Sequence, residues 1–176
     1  AVPAETLADY CEAAAELFLH EELPVGNSTQ SPQQYIESLS ALTKLPHTLV
    51  KMNMGKVHAA MSQIRTVIGG LTRNLPLELF DRGLSAVDDL EVNFYPVADA
   101  LGVSLPSNAP AVNSLWLPAP VLKIPVLLKP GREDPFTPLR IVQSLIAAGF
   151  PKEAFGFYPT THEGGDTILM TCGRGI

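Results

Sequence analysis

The sequence predicts an α/β protein, in which a parallel sheet follows a helical lead. Three observations carry this. Through residue 90, apolar positions recur at helical spacing. After residue 90, short apolar runs alternate with helix signals, each bounded by proline or glycine. The run Pro125-Val126-Leu127-Leu128 is continuously apolar, as in a strand buried on both faces.

In order along the chain, Leu7, Tyr10, Cys11, Ala14, Leu17 and Phe18 share one helical face, with Pro3 near its start. Ser31-Pro32-Gln33-Gln34 supplies an N-cap, a first-turn proline and a capping-box glutamine. Tyr35, Ile36, Leu39 and Leu42 continue that helix. Val57, Ala60, Met61, Ile64, Val67, Ile68 and Leu71 form a further stripe that Gly69-Gly70 ends or weakens. All these stripes read as core. Leu90–Tyr95 alternates like a strand, and Leu101–Leu105 is an apolar run closed by Pro106. Residues 113–123 read as a helix interrupted by Pro118 and Pro120. Thr137 reads as the cap of a helix with Pro138 at its first position, ended by Gly149 and Pro151. Ala154–Tyr158 is the next strand. Residues 1–90 are therefore a helical lead and 91–176 a run of βα units, within one structural unit.

Composition narrows the function. Hydrophobic residues make up 46% of the 176 and charged ones 17%, enough for a sizeable core. The net charge is -6; residues 1–50 hold seven acids and the single base Lys44, and no basic cluster stands out. Nucleic acid and anionic membrane surfaces are not expected partners, since both call for clustered Lys and Arg. The longest apolar runs fall far short of a membrane span. The start Ala1-Val2-Pro3 has no signal-peptide pattern, which points to the cytoplasm. Cys11 and Cys172 are expected to be reduced and buried, and no spacing among His20, His47, His58 and His162 suits a metal.

Ligands of open parallel sheets sit outside the carboxyl ends of the strands. Three such ends are readable: Pro106–Pro110, Lys129–Arg132 and Pro159–His162. They offer an amide, cations, and backbone that a ligand can approach closely. That suits an anion such as a nucleotide; ordinary βα turns with solvated charges are the competing reading.

Over roughly residues 96–170 the chain resembles the aldehyde dehydrogenase superfamily. The resemblance rests on Leu105-Pro106-Ser107-Asn108-Ala109-Pro110, on Trp116 with Ala119-Pro120-Val121-Leu122, and on Val126-Leu127-Leu128-Lys129-Pro130-Gly131. It continues through Thr137-Pro138, Ala147-Ala148-Gly149-Phe150-Pro151 and Phe157-Tyr158-Pro159. The order and spacing follow the family's Pro-Trp-Asn, Lys-Pro-Ser-Glu, Thr-Pro and Glu-Ala-Gly-x-Pro segments. The resemblance implies a Rossmann-like, NAD(P)-binding sheet and hydride transfer from a thiohemiacetal formed on an aldehyde. Asn108 matches the amide that stabilises the oxyanion; its alternative is to cap the following helix. Lys129 matches the lysine on the adenosine ribose, and Leu105, Pro106 and Ser107 match positions lining the cofactor groove.

Departures qualify it. Ser107 replaces a tryptophan and Gly131 a serine. Arg132 stands where NAD-preferring members often carry a glutamate. An arginine fork suits a 2′-phosphate, which leans the reading toward NADP; a solvated Arg132, with Glu133 on the ribose, is the alternative. The family's Gly-Gln-x-Cys nucleophile and Glu-x-Gly-Gly-Lys base have no counterparts. Cys172 lacks the Gly-Gln approach, and Glu163-Gly164-Gly165 lacks the intervening residue. This chain alone is therefore expected not to turn over an aldehyde. Family members usually form homo-oligomers. Two further readings stay open: an acyl-CoA or acyl-phosphate reductase of the same superfamily, and a non-catalytic nucleotide- or partner-binding module.

Overall fold

A computed structural model describes residues 2–87 and 90–176. The chain opens with helix α1 (Ala4–His20), whose buried stripe runs through Leu7, Ala8, Cys11, Ala14, Ala15 and Phe18. Pro3 sits at its N-cap, and both carboxylate oxygens of Asp81 accept the Ala4 N–H at 3.1 and 3.2 Å. Asp81 also takes the Lys123 ammonium at 2.8 Å, so one side chain clasps two distant segments.

A short hairpin, β1 (Leu23–Val25) and β2 (Ser28–Gln30), follows, turning at Gly26 with φ 60°. The reading of residues 1–90 as helical overlooks it. Helix α2 (Pro32–Thr43) has both halves of the expected capping box: the Ser31 hydroxyl accepts from Gln34 N–H at 3.2 Å, and the Gln34 carbonyl from Ser31 N–H at 2.8 Å. The stripe from Val57 to Leu71 belongs to two helices, α3 (His47–Ser62) and α4 (Ile64–Thr72), broken at Gln63 rather than at the glycines. The break turns Val67 and Leu71 outward while Ile64 and Ile68 stay buried. After α5 (Leu79–Arg82), strands β3 (Leu84–Val87) and β4 (Leu90–Asn93) pair antiparallel.

The second half builds the sheet. Strands β5 (Leu101–Ser104), β6 (Val126–Lys129) and β7 (Phe155–Phe157) are parallel and adjacent in that order. The segment between β5 and β6 is not the continuous helix expected. It is a 3-10 turn (Pro110–Ser114) and the short helix α6 (Pro118–Val121), divided where the prolines remove N–H donors. Helix α7 (Phe136–Ala148) joins β6 to β7 and packs against α1 and β1, burying Ile141 and Leu145. Helix α8 (His162–Cys172) lies against β5, where Gly102 lets its backbone come close: a Cβ there would fall 3.2 Å from Ile168 O.

Beyond α8 the chain returns to the sheet. Gly102 N–H donates to Arg174 O at 3.0 Å, Ser104 N–H to Ile176 O at 2.8 Å, and Ile176 N–H to Gly102 O at 3.0 Å. Residues 174–176 thus run parallel beside β5, on the edge away from β6. The spatial order becomes 174–176, β5, β6, β7, which reverses direction at β5. This is the strand order of one half of a doubly wound sheet plus the first strand of the other, with its switch point between β5 and the terminal segment.

The core lies between the sheet and the helical lead, around Trp116, Tyr35, Phe18, Leu128, Ile141 and Leu145. β6 is covered unequally. Val126 and Leu128 are buried in the core shared with residues of α1 and α7, but Leu127 on the other face is only half-buried beside α8. The expectation of full burial on both faces therefore fails at Leu127.

Candidate functional site

Parallel strands bring their carboxyl ends to one side. Between the ends of β6 and β7 lies a cleft of about 790 Å³, walled by Lys129, Gly131 and Arg132 from one loop and Thr160, Thr161 and His162 from the other. Two of the three strand ends read from sequence thus share a cavity. The switch-point rule points one strand further, to the ends of β5 and residue 176; the cavity itself is offset toward β7.

Lys129 is the last residue of β6 and only 6% exposed. Its alkyl chain lies along the first turns of α8: a Cβ on Gly165 would fall 3.5 Å from Cγ and Cδ of Lys129. Among the described residues the ammonium has no hydrogen bond or ion pair, so it opens into the cleft with its stem buried and its head available. Across from it, Thr161 caps α8, its hydroxyl accepting the Gly164 N–H at 3.4 Å. The helix's first N–H groups, which have no intrahelical acceptor, lie at the rim. Arg132 is exposed and likewise makes no bond with the described residues.

Gly131 is buried and lines the cleft with its backbone. A Cβ there would fall 2.6 Å from Pro106 O and 2.5 Å from Ser107 Oγ. Ser107 Oγ also accepts the Glu133 N–H at 3.0 Å. Pro106 and Ser107 therefore back the Lys129 loop and fix its position, behind the cleft surface. Leu105 is buried and extends the β5–β6 pairing, its N–H donating to Lys129 O at 2.9 Å. Asn108 lies exposed in the bend after Ser107. The 3-10 turn that follows has Ala109 at its N-cap with no side-chain bond, so Asn108 does not cap it.

The thiols sit elsewhere. Burial pushes the Cys11 thiol up to about 12, and burial also raises Cys172, which packs beneath Gly102. Neither favours the thiolate that a nucleophile needs. Among the described residues no cluster of three metal-type ligands occurs. His58 and His20 both face Glu16, and the His58 hydrogen bond holds that carboxyl below its usual range.

Sequence reasoning missed the polar junction just past the cleft. Asp134, not Thr137, caps α7: one of its oxygens accepts the Thr137 N–H at 3.0 Å. The other accepts the Thr137 hydroxyl at 2.8 Å and the Asn113 amide at 3.0 Å. The Tyr35 hydroxyl adds a 2.8 Å bond to Thr137. Arg140, 2% exposed, donates to the carbonyls of Phe18 at 2.8 Å, Gln30 at 3.0 Å and Glu21 at 2.6 Å. Its guanidinium also stands 5.7 and 5.6 Å from the ring centres of Phe18 and Tyr35. An Asp three residues before Thr137 was the available signal.

Solved aldehyde dehydrogenases share this fold. A succinate-semialdehyde dehydrogenase from Burkholderia pseudomallei aligns with 96% of this chain and 32% of its own, at TM-score 0.64 and 16% identity. An NAD-dependent benzaldehyde dehydrogenase from Corynebacterium glutamicum aligns with 96% of this chain and 34% of its own, at TM-score 0.64 and 18% identity. A Staphylococcus aureus betaine aldehyde dehydrogenase, solved with NAD+, aligns with 99% of this chain and 37% of its own, at TM-score 0.59 and 16% identity. No protein-family model and no curated protein sequence matches the chain. The fold is thus that of part of an aldehyde dehydrogenase, and the chain spans about a third of the length of the structures it matches.

Proposed function

We propose that the chain is the cofactor-binding part of an NAD(P)-dependent, aldehyde dehydrogenase-like oxidoreductase. The observation that carries the reading is the unpartnered Lys129 ammonium, opening into a cleft at the carboxyl ends of a parallel sheet. The residues present fit a dinucleotide. The cavity is of ligand size, its walls supply two cations unbonded among the described residues, and Gly131 lines it with backbone. Two of the similar solved proteins are NAD-dependent or hold NAD+.

In this reading Lys129 holds the adenosine ribose, and Gly131 offers backbone at close range. Pro106 and Ser107 keep the Lys129 loop in place. Leu105 carries the groove toward the switch point, where the reacting end would lie. Asn108, with its amide unbonded and in the adjoining bend, would donate to the oxyanion that develops when an aldehyde is attacked. The dinucleotide, when bound, supplies the hydride acceptor. Neither Cys11 nor Cys172 serves as nucleophile, so the nucleophile and the general base are assigned to sequence outside this chain. Arg132, unbonded and beside Lys129, favours NADP over NAD, since its fork fits a 2′-phosphate. The complete protein is proposed to be a cytoplasmic homo-oligomer. No described helix is long and apolar enough to cross a membrane.

A non-catalytic nucleotide-binding module is the second reading, favoured by the burial of both thiols. Calorimetric titration with NAD+ and NADP+ tests what the two share. The chain is expected to bind, more tightly to NADP+, and Lys129→Met to abolish the heat. Absence of binding in the wild type refutes both readings. Turnover of an aldehyde by the purified chain refutes the assignment of the nucleophile elsewhere.

A further inference from the structure

The loop that carries Arg132 is pinned on both sides of it. Before it, Gly131 is wedged against the β5 loop, too close to Pro106 O and Ser107 Oγ to admit a Cβ. After it, the Glu133 N–H donates to Ser107 Oγ at 3.0 Å, and the Asn113 amide donates to the Asp134 carboxylate at 3.0 Å. Arg132 and Glu133 are exposed, while Gly131 and Asp134 on either side are buried. Asp134 is itself held fast, since it accepts both the N–H and the hydroxyl of Thr137. That hydroxyl has one proton to give, so Tyr35 is the donor in the 2.8 Å bond between Tyr35 and Thr137. A buried chain thus runs from α2 through Tyr35, Thr137 and Asp134 to Asn113, and so from the helical lead to the turn that follows β5.

Asn113 is the member of this chain that stability alone does not explain. It is fully buried, and its nitrogen gives one proton to Pro110 O at 3.2 Å and the other to Asp134. Its oxygen has no donor among the described residues. A buried oxygen left in that state costs free energy, which an apolar side chain at the same place would not incur. Turning the amide over does not help, because the oxygen would then meet the Asp134 carboxylate. The bond to Pro110 needs no amide either: the next residue, Ser114, reaches Ala111 O with its hydroxyl at 2.8 Å over the same three-residue span. What the amide alone supplies is the bond between the two loops. We infer that Asn113 is a positioning residue for the cleft, fixing through Asp134 where the Arg132 guanidinium stands against a bound nucleotide. The inference rests on the nucleotide reading above and adds a residue that lies outside the cleft wall. A long exposed side chain contributes to binding in proportion to how little remains to be ordered when the ligand arrives. Holding the backbone on both flanks of Arg132 removes part of that cost.

A double-mutant cycle on the intact chain tests this, read by calorimetric titration of NADP+ and by thermal melting. Asn113→Ser keeps a donor for Pro110 and is too short to reach Asp134; Arg132→Gln removes the guanidinium. Asn113→Ser is expected to weaken NADP+ binding about three- to ten-fold, the scale of one hydrogen bond. In the Arg132→Gln background the same substitution should leave the affinity unchanged, because no guanidinium remains to be placed. Its effect on the melting temperature should be the same in both backgrounds, since Arg132 is exposed and bonded to none of the described residues. Should Asn113→Ser melt too low to titrate, Asn113→Leu, which fills the volume, takes its place in the cycle. Equal weakening in both backgrounds, or none in either, makes Asn113 purely structural; it overturns the inference and leaves the nucleotide reading standing. An Arg132→Gln protein that binds NADP+ as the wild type does has the same consequence. Failure of the wild type to bind removes the nucleotide reading and this inference together.

Discussion

Arg132 and Arg140 leave the same stretch of chain, on either side of the start of α7, and meet opposite surroundings. Arg140 is enclosed, bonded to three backbone carbonyls from the helical lead and stacked against Phe18 and Tyr35. Arg132 stands exposed at a cleft with no protein partner among the described residues. The contrast extends to their neighbours. Asp134 uses both oxygens on three donors, whereas Lys129, nearly as buried, spends none of its protons on the described residues. Polar groups that hold the fold have their bonding capacity met internally. Groups that meet a ligand keep theirs open. The β6–α7 connection divides between these two roles within a few residues.

The junction should fail first when that division is broken. Arg140→Ala leaves three carbonyls of Phe18, Glu21 and Gln30 without their donor, and opens a cavity against two aromatic rings. Burial already lowers the Arg140 pKa to about 10, so its charge is held in place by these bonds rather than by an opposed carboxylate. A loss of about 3 kcal/mol or more is expected in urea unfolding. A loss below about 1 kcal/mol would mean that the carbonyls find water, and that the junction is not sealed.

A smaller effect sharpens the same comparison through pH. Burial raises the Asp134 carboxyl above its usual range, against the opposing bonds from Thr137 and Asn113. An acid whose folded pKa exceeds its unfolded one binds more protons when folded. Its contribution to stability is therefore greatest at low pH, and falls as pH rises from the unfolded value near 3.8 through the folded one. Subtracting the stability curve of Asp134→Asn from that of the wild type should give a difference that declines with pH over that window. A flat difference would show the carboxylate to be fully compensated by its three donors.

The junction and the cleft were not equally legible in the sequence. Lys129, Gly131 and Arg132 follow a continuous apolar run, and His162 follows the next strand; the rule that parallel strands carry ligands at their carboxyl ends brings them together without knowledge of packing. The Ser31–Gln34 capping box and the Gly149 stop were legible for a similar reason, since each acts within a few residues. Arg140 was not legible. Its acceptors Phe18, Glu21 and Gln30 lie more than a hundred residues earlier, and its own position on α7 reads as an ordinary solvated charge. The hairpin at Leu23–Gln30 has strands of three residues, too short to show alternation. Residues 174–176 pair through backbone alone and are too few to show an apolar pattern, so their place beside β5 depends on α8 folding back first. Gln63 breaks a helix in which the apolar period continues, and only the burial of Ile64 and Ile68 reveals the change of direction.

The smallest expected effect on stability carries the most weight, because its sign differs between the two regions. Lys129→Met keeps the buried stem along Gly165 and removes only the ammonium. If that group held the fold as Arg140 does, its loss would destabilise. With no acceptor among the described residues, its removal instead relieves the cost of keeping a charge beside apolar packing. The unfolding midpoint should therefore stay level or rise, by an amount within about 1 kcal/mol, while nucleotide binding disappears. A clear destabilisation would place Lys129 with the junction, as a structural lysine, and would take the central support from the cleft as a binding site. The ligand itself should reverse the ranking. In saturating nucleotide the wild type gains stability by mass action and the variant does not, so the two unfolding curves should cross as ligand is added.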